Sequence, residues 1–230
     1  MSAARSRRSP ASDRPAEVVA DRAAELASRR PSEVHAVALW PGAGSSAEHP
    51  SLRSLADGLA PLHVERFDFP YRREGRRPPD RANKLIASLR ADVADLCERL
   101  GTTPQHVVLG GRSMGGRMCS MAVAGATGNT AKGAPTHEVP LLAAGLVLLG
   151  YPLHPPKAPE RLRTEHLGAV RVPTLFVSGD RDPFGTPDEL AAASGLVPGP
   201  VTSVTIGGAR HELKGADDVV LAAVREWLGH

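Results

Sequence analysis

Leu109-Gly110-Gly111-Arg112-Ser113-Met114-Gly115-Gly116 is the stretch whose reading decides the fold. An apolar run from His106 to Leu109 enters it, and a segment of helical character from Ser113 to Ala126 leaves it. Inside it, Gly111, Ser113 and Gly115 have the spacing G-x-S-x-G, the pattern of a nucleophile elbow. The meaning of the spacing is steric. A serine held on a sharp strand-to-helix turn has strained dihedrals, and the residues two before and two after it must lack Cβ for strand and helix to approach. Such a serine stands above the sheet at a helix N-terminus, which favours negative charge nearby. The competing reading is a glycine-rich turn with an ordinary surface serine. The strand before and the helix after favour the strained turn.

Working outward, short apolar runs alternate with helical segments. Val34 to Trp40, His63 to Phe69, Ala143 to Leu149, Arg171 to Ser178 and Val201 to Ile206 read as strands. His49 to Ala60, Arg81 to Leu100, Pro187 to Gly195 and Ala216 to Leu228 read as helices, with helical character also over Ala16 to Arg30. The clearest helix repeats Leu85, Leu89, Val93, Leu96 and Leu100 along one face and stops at Gly101. Tyr71 to Pro79 reads as an arginine-rich loop and Gly128 to His137 as a polar one. The alternation predicts an α/β fold: a mostly parallel, doubly wound sheet with helices on both faces. With no internal repeat or long linker, residues 16–230 read as a single domain behind a basic tail, residues 1–15, expected to be disordered.

Composition narrows the function. The chain has 230 residues, 41% of them hydrophobic, enough for a substantial core. No apolar run approaches the ~20 residues needed to cross a bilayer. Of the formal charge of +3, most sits in the tip, where Arg5, Arg7, Arg8 and Arg14 outnumber Asp13 and Glu17. A near-neutral body with two Trp, two Tyr and four Phe is not a nucleic-acid binder. Neither a nucleic-acid nor a membrane partner is expected. Cys97 and Cys119 lack metal or redox spacing and read as small buried hydrophobes. Ser9-Pro10-Ala11-Ser12-Asp13 stands where a signal sequence would have its apolar core, so the expected compartment is cytoplasmic.

A serine hydroxyl needs a base, and the base needs an orienting group. Asp180 and Asp182 follow the strand ending at Ser178, and His211 follows the strand ending at Ile206. The order Ser113, Asp182, His211 is that of α/β-hydrolases, each member on a loop after a strand. His35, His63, His106, His137, His154 and His230 lack that combination of order and place. Asp182, followed by Pro183, is the favoured orienter, and Asp180 is the alternative, better suited to capping the turn. Pro41-Gly42-Ala43-Gly44-Ser45 follows the first strand, and its small residues let backbone N–H groups face a cavity. The backbone N–H groups of Ala43 and Met114 are the expected oxyanion donors. A phosphate-cradling loop fits less well, since neither G-K-[S/T] nor G-x-G-x-x-G is present.

Two loops stay open. Tyr151 to Pro156 is too proline-rich for a helix or central strand, so Tyr151, Leu153 and His154 either wall a pocket or belong to a rigid connector. Arg72, Arg73, Arg76 and Arg77 form either a solvated loop or an anion-binding rim, with Asp68, Glu74 and Asp80 among them.

Three motifs in order carry a resemblance. They are Gly110-Gly111-Arg112-Ser113-Met114-Gly115-Gly116-Arg117, Leu149-Gly150-Tyr151-Pro152-Leu153-His154-Pro155-Pro156, and Pro173-Thr174-Leu175-Phe176-Val177 running into Arg181-Asp182-Pro183-Phe184-Gly185. Over roughly residues 33–230 the chain resembles α/β-hydrolases, and more narrowly the dienelactone-hydrolase-like predicted hydrolases that include testis-expressed protein 30. The resemblance implies Ser113, Asp182 and His211 as a catalytic triad. It implies a serine hydrolase of carboxylesterase type for a small ester, thioester or related acyl substrate, without metal or organic cofactor. No insertion of domain size is left for a large lid. Three departures stand out. Pro41 replaces the family's usual His, and Glu212-Leu213 stands where Ser-Leu is commoner. Dienelactone hydrolases proper use Cys as nucleophile, so lactone specificity is not implied. The family also includes a chromatin-complex subunit, so the alternative is a non-catalytic protein-interaction module on the same scaffold.

Overall fold

The computed structural model describes residues 29–129 and 135–230. The expected basic tail, and all but the last two residues of the helix expected over Ala16 to Arg30, lie outside the described residues. Strands β1 (Ala36–Trp40), β2 (His63–Arg66), β3 (Val107–Arg112), β6 (Gly145–Leu149), β7 (Thr174–Gly179) and β8 (Val201–Ile206) form one parallel sheet. Its order is β2-β1-β3-β6-β7-β8. β1, β3, β6 and β7 are buried along their whole length, as continuous apolar runs in a two-faced sheet must be. β8 closes one edge and is only partly covered.

Helices α1 (Pro50–Gly58) and α6 (Asp217–Leu228) cover one face, where Leu52, Leu55, Val220, Val224 and Trp227 pack on Val37, Leu39 and Val177. Helices α3 (Ala82–Leu100), α4 (Met114–Val123) and α5 (Pro187–Ser194) cover the other, packing Leu85, Leu89, Met118 and Leu190 with Ala38, Trp40 and Leu109. α3 ends as its sequence predicts, with Gly101 left-handed at φ 61°. α5 starts from a reciprocal cap, in which Thr186 and Glu189 satisfy each other's backbone N–H. The chain steps from β1 to β2 toward one edge, then returns past β1 to β3 and runs toward the other. The reversal falls between β1 and β3, where an open α/β sheet forms its ligand crevice.

Two loops differ from expectation. The arginine-rich segment opens with a helical turn, α2 (Pro70–Arg73), anchored where Arg73 meets the buried Asp92 of α3 at 2.7 Å. α4 ends at Val123, and the polar loop contains a small antiparallel pair, β4 (Ala126–Asn129) with β5 (Pro135–His137). Gly125, at φ 74°, makes the turn: a Cβ there would stand 2.5 Å from the Glu138 carbonyl. Among the described residues no helix is long and apolar enough to cross a membrane.

Candidate active site

Ser113 sits between β3 and α4 at φ 48° and ψ −113°, a conformation that costs a non-glycine residue about 1–3 kcal/mol. Its surroundings hold it there. The Ser113 N–H donates to the Leu149 carbonyl of β6 at 2.8 Å, and its carbonyl accepts the Arg117 N–H at 3.0 Å. The flanking glycines are required by the closeness of β1: a Cβ on Gly111 would lie 2.0 Å from the Trp40 carbonyl oxygen, and one on Gly115 2.3 Å. The steric reading of the motif is met at both positions.

The β7–α5 loop brings Asp182 and the β8–α6 loop brings His211. His211 Nε2 lies 2.8 Å from Ser113 Oγ, and His211 Nδ1 lies 2.8 Å from Asp182 Oδ2. The Asp182 side chain is fully buried, and its other oxygen accepts the Phe184 N–H at 2.8 Å. An ionised carboxylate only accepts, so Nδ1 carries the imidazole proton and Nε2 is left to accept from the Ser113 hydroxyl. Asp180 does something else: its Oδ1 accepts the Gly208 N–H at 2.7 Å, pinning the turn that leads to His211. The Phe184 ring packs on the His211 ring at 4.0 Å between centroids. Gly150, at φ 55°, passes beneath His211, where a Cβ would come within 2.8 Å of its carbonyl oxygen.

A second network braces the elbow. Arg112, buried beside Ser113, donates through Nη2 to both the carbonyl and the carboxylate of Glu212, each at 2.8 Å. Its Nη1 donates to His49 Nε2, at the start of α1. Burial holds the His49 imidazole below its usual range, and the Arg112 charge pushes it the same way. The Arg112 hydrogen bond holds the Glu212 carboxyl below its usual range. Arg112 thereby ties the residue before Ser113 to the residue after His211. Its only advance trace was a charged residue wedged among glycines, since its partner lies 100 positions away.

These residues open onto a cavity of about 420 Å3. Ala43 and Met114 line it beside Ser113 and His211. The Gly42 carbonyl accepts the Ser45 N–H at 3.2 Å, closing a turn around Ala43, with Gly44 at φ 73°. The expected wall needs correcting. From the Tyr151 to Pro156 segment it is Pro152 that lines the cavity, while Tyr151, Leu153 and His154 are buried away from it. Tyr151 and Leu153 join the core, Tyr151 Oη donates to the Arg163 carbonyl, and His154 Nε2 lies 3.4 Å from a Glu189 oxygen. The arginine-rich loop lies apart from the cavity lining: Arg73 pairs with Asp92, and Arg76 with Glu74 and Asp80. Cys97 and Cys119 are buried free thiols, as expected. At the N-terminal ends of β1 and β3, Glu33, His35 and His106 come close enough together to share a cation.

Fold and site together define a class, a parallel α/β sheet with a serine elbow at its switch point. Residues 33–219 match the family described as Alpha/beta hydrolase domain, and the chain belongs to that family. Solved structures agree on the fold. Est1E from Butyrivibrio proteoclasticus superposes with a TM-score of 0.64 at 16% identity, covering 86% of this chain and 88% of that one. An alpha-beta serine hydrolase homologue from Coxiella burnetii gives 0.61 at 18%, over 85% and 88%. A dienelactone hydrolase from Anabaena variabilis gives 0.59 at 22%, over 87% and 88%.

Proposed function

We propose that this chain is a serine hydrolase that cleaves a small ester, thioester or related acyl compound through an acyl-enzyme. One observation carries the reading: the continuous relay from Ser113 Oγ through both His211 nitrogens to the buried Asp182 carboxylate, each step 2.8 Å. Ser113 Oγ attacks the acyl carbon as its proton passes to His211 Nε2. Asp182 holds the imidazole by Nδ1 and stabilises the imidazolium. The developing oxyanion accepts from the Ala43 and Met114 N–H groups. The imidazolium then gives its proton to the leaving oxygen or sulfur. His211 next takes a proton from water, whose oxygen attacks the acyl carbon, and returns that proton to Ser113 Oγ as the acid product leaves. The scheme needs no metal or organic cofactor.

A carboxylesterase-like preference for small acyl groups is supported by the modest cavity. The narrower kinship with dienelactone-hydrolase-like predicted hydrolases rests on the three motifs. The buried free thiols suit a reducing, cytoplasmic compartment. A panel of p-nitrophenyl esters of graded chain length tests the proposal. Turnover that is greatest for short chains and vanishes in Ser113→Ala supports it. A folded protein inert toward the whole panel would instead favour a non-catalytic interaction module.

A further inference from the structure

The cavity carries a charge pattern that acyl transfer at Ser113 does not consume. Arg117 stands four residues after Ser113, one helical turn of about 5.4 Å along α4. Arg163 enters from the connection between β6 and β7. That connection is well anchored: the Arg163 N–H donates to the Leu153 carbonyl at 2.8 Å and its own carbonyl accepts from Tyr151 Oη at 2.9 Å. Both arginines line the same cavity as Ser113.

What sets them apart is the lack of a counter-charge. Arg73, Arg76, Arg99 and Arg112 each meet a carboxylate within 3.0 Å. Among the described residues, Arg117 and Arg163 form no ion pair, and the Arg163 guanidinium donates only to the Pro152 carbonyl, at 3.2 Å. Arg117 Nε is buried without a hydrogen-bond partner. Glu212 is the one carboxylate in the lining, and Arg112 already holds it. Glu165, whose charge reaches Arg163, is exposed to solvent. Burial lowers the Arg163 pKa, and the nearby Arg117 charge lowers it further. Two half-covered cations that repel each other beside a nucleophile are stabilised when an anion arrives between them. Planar guanidinium forks suit carboxylate and phosphate oxygens.

We propose that Arg117 and Arg163 form an anion subsite, so that the acyl compound cleaved at Ser113 carries a carboxylate or phosphate a few bonds from the scissile carbonyl. The inference rests on the hydrolase reading above and gives it a substrate class.

Charge preference of the wild-type protein is the test, read from matched substrates. 4-Nitrophenyl hydrogen adipate against 4-nitrophenyl methyl adipate places the anion on the acyl side. 3-Acetoxybenzoate against its methyl ester places it on the leaving side, and 3-acetoxyphenyl phosphate against phenyl acetate separates phosphate from carboxylate. The anionic member of at least one pair is expected to show kcat/KM at least tenfold higher at low salt, with the advantage shrinking as salt rises. Arg117→Gln and Arg163→Gln are each expected to cut that ratio at least tenfold, and Arg117→Lys to retain part of it. Equal or better turnover of every neutral member overturns the anion subsite and leaves the hydrolase intact. Unchanged ratios in both folded Gln variants overturn it too. Absence of turnover on all six compounds, together with no labelling of Ser113 by a fluorophosphonate, removes the hydrolase reading and the subsite with it.

Discussion

Helix α4 and its flanking turn bring two serines to two histidines. Ser113 Oγ lies 2.8 Å from His211 Nε2, and Ser120 Oγ lies 2.8 Å from His166 Nε2. The two contacts are equal in length and opposite in chemical sense. His211 has a buried carboxylate on Nδ1, so its Nε2 is free to accept the serine proton. Ser120 gives its hydroxyl proton to the Arg117 carbonyl at 2.9 Å, so His166 Nε2 must donate to Ser120 rather than accept from it. His166 is held neutral, its pKa pushed down to about 3 by burial and then by the Arg117 charge. Ser120 is fully buried, whereas Ser113 faces the cavity. A serine–histidine contact is thus no sign of a nucleophile until the proton's direction and the approach of substrate are known.

Breaking the first contact is expected to have the largest effect. Ser113→Ala should lower kcat for any ester the wild type cleaves by about 10^6-fold. Ser120→Ala should leave kcat within about twofold and cost about 1–3 kcal/mol of stability in urea unfolding, since it removes two buried hydrogen bonds and leaves the His166 donor without its close partner. The carboxylate sharpens the contrast next. Asp182→Asn should lower kcat about 10^4-fold by favouring the wrong imidazole tautomer, as the same change does in serine proteases. Asp180→Asn keeps an oxygen for the Gly208 N–H and should cost less than about tenfold. Steady-state kinetics on one ester decides both pairs.

Arg112→Met leaves Glu212 and His49 without their shared partner. It should destabilise the protein by about 1.5 kcal/mol in urea unfolding, the loss of charged hydrogen bonds between a buried guanidinium and a largely exposed carboxylate. It should also lower kcat by about tenfold or more, because the loop that carries His211 loses its tether to the elbow. The smallest effect is a slope. Below about pH 6.5 the unfolded chain takes a proton that folded His166 refuses until about pH 3, so this group withdraws stability as pH falls through that window. Its share is at most about 1.4 kcal/mol per pH unit. His166→Gln keeps a donor for Ser120 and cannot titrate, so its urea midpoint should fall less than that of wild type between pH 7 and pH 4.5.

The sheet and the three relay residues were legible because each is announced locally. Ser113 and Asp182 follow runs that read as buried strands, His211 follows an alternating edge strand, and chain order did the rest. The β4–β5 pair was not legible. Its visible lock is polar, a 2.6 Å bond from Thr127 Oγ1 to Thr136 Oγ1 next to the Gly125 turn, rather than an apolar alternation. The cavity wall was missed by one position. In the segment after β6, Pro152 faces the cavity while Tyr151 and Leu153 turn to the core, and nothing in the residues themselves sets that phase. Arg112, His49 and Glu212 form a contact across the fold, and His166 lies in an irregular connection, so no periodicity marks any of them.

The central claim is that Ser113, and not merely some serine of this chain, is the activated nucleophile. Treating the folded wild type with a fluorophosphonate and mapping the adduct by mass spectrometry tests it most directly. The account predicts a single stoichiometric adduct on Ser113, absent in Ser113→Ala and retained in Ser120→Ala. An unlabelled wild type, or labelling that persists undiminished in Ser113→Ala, would contradict it.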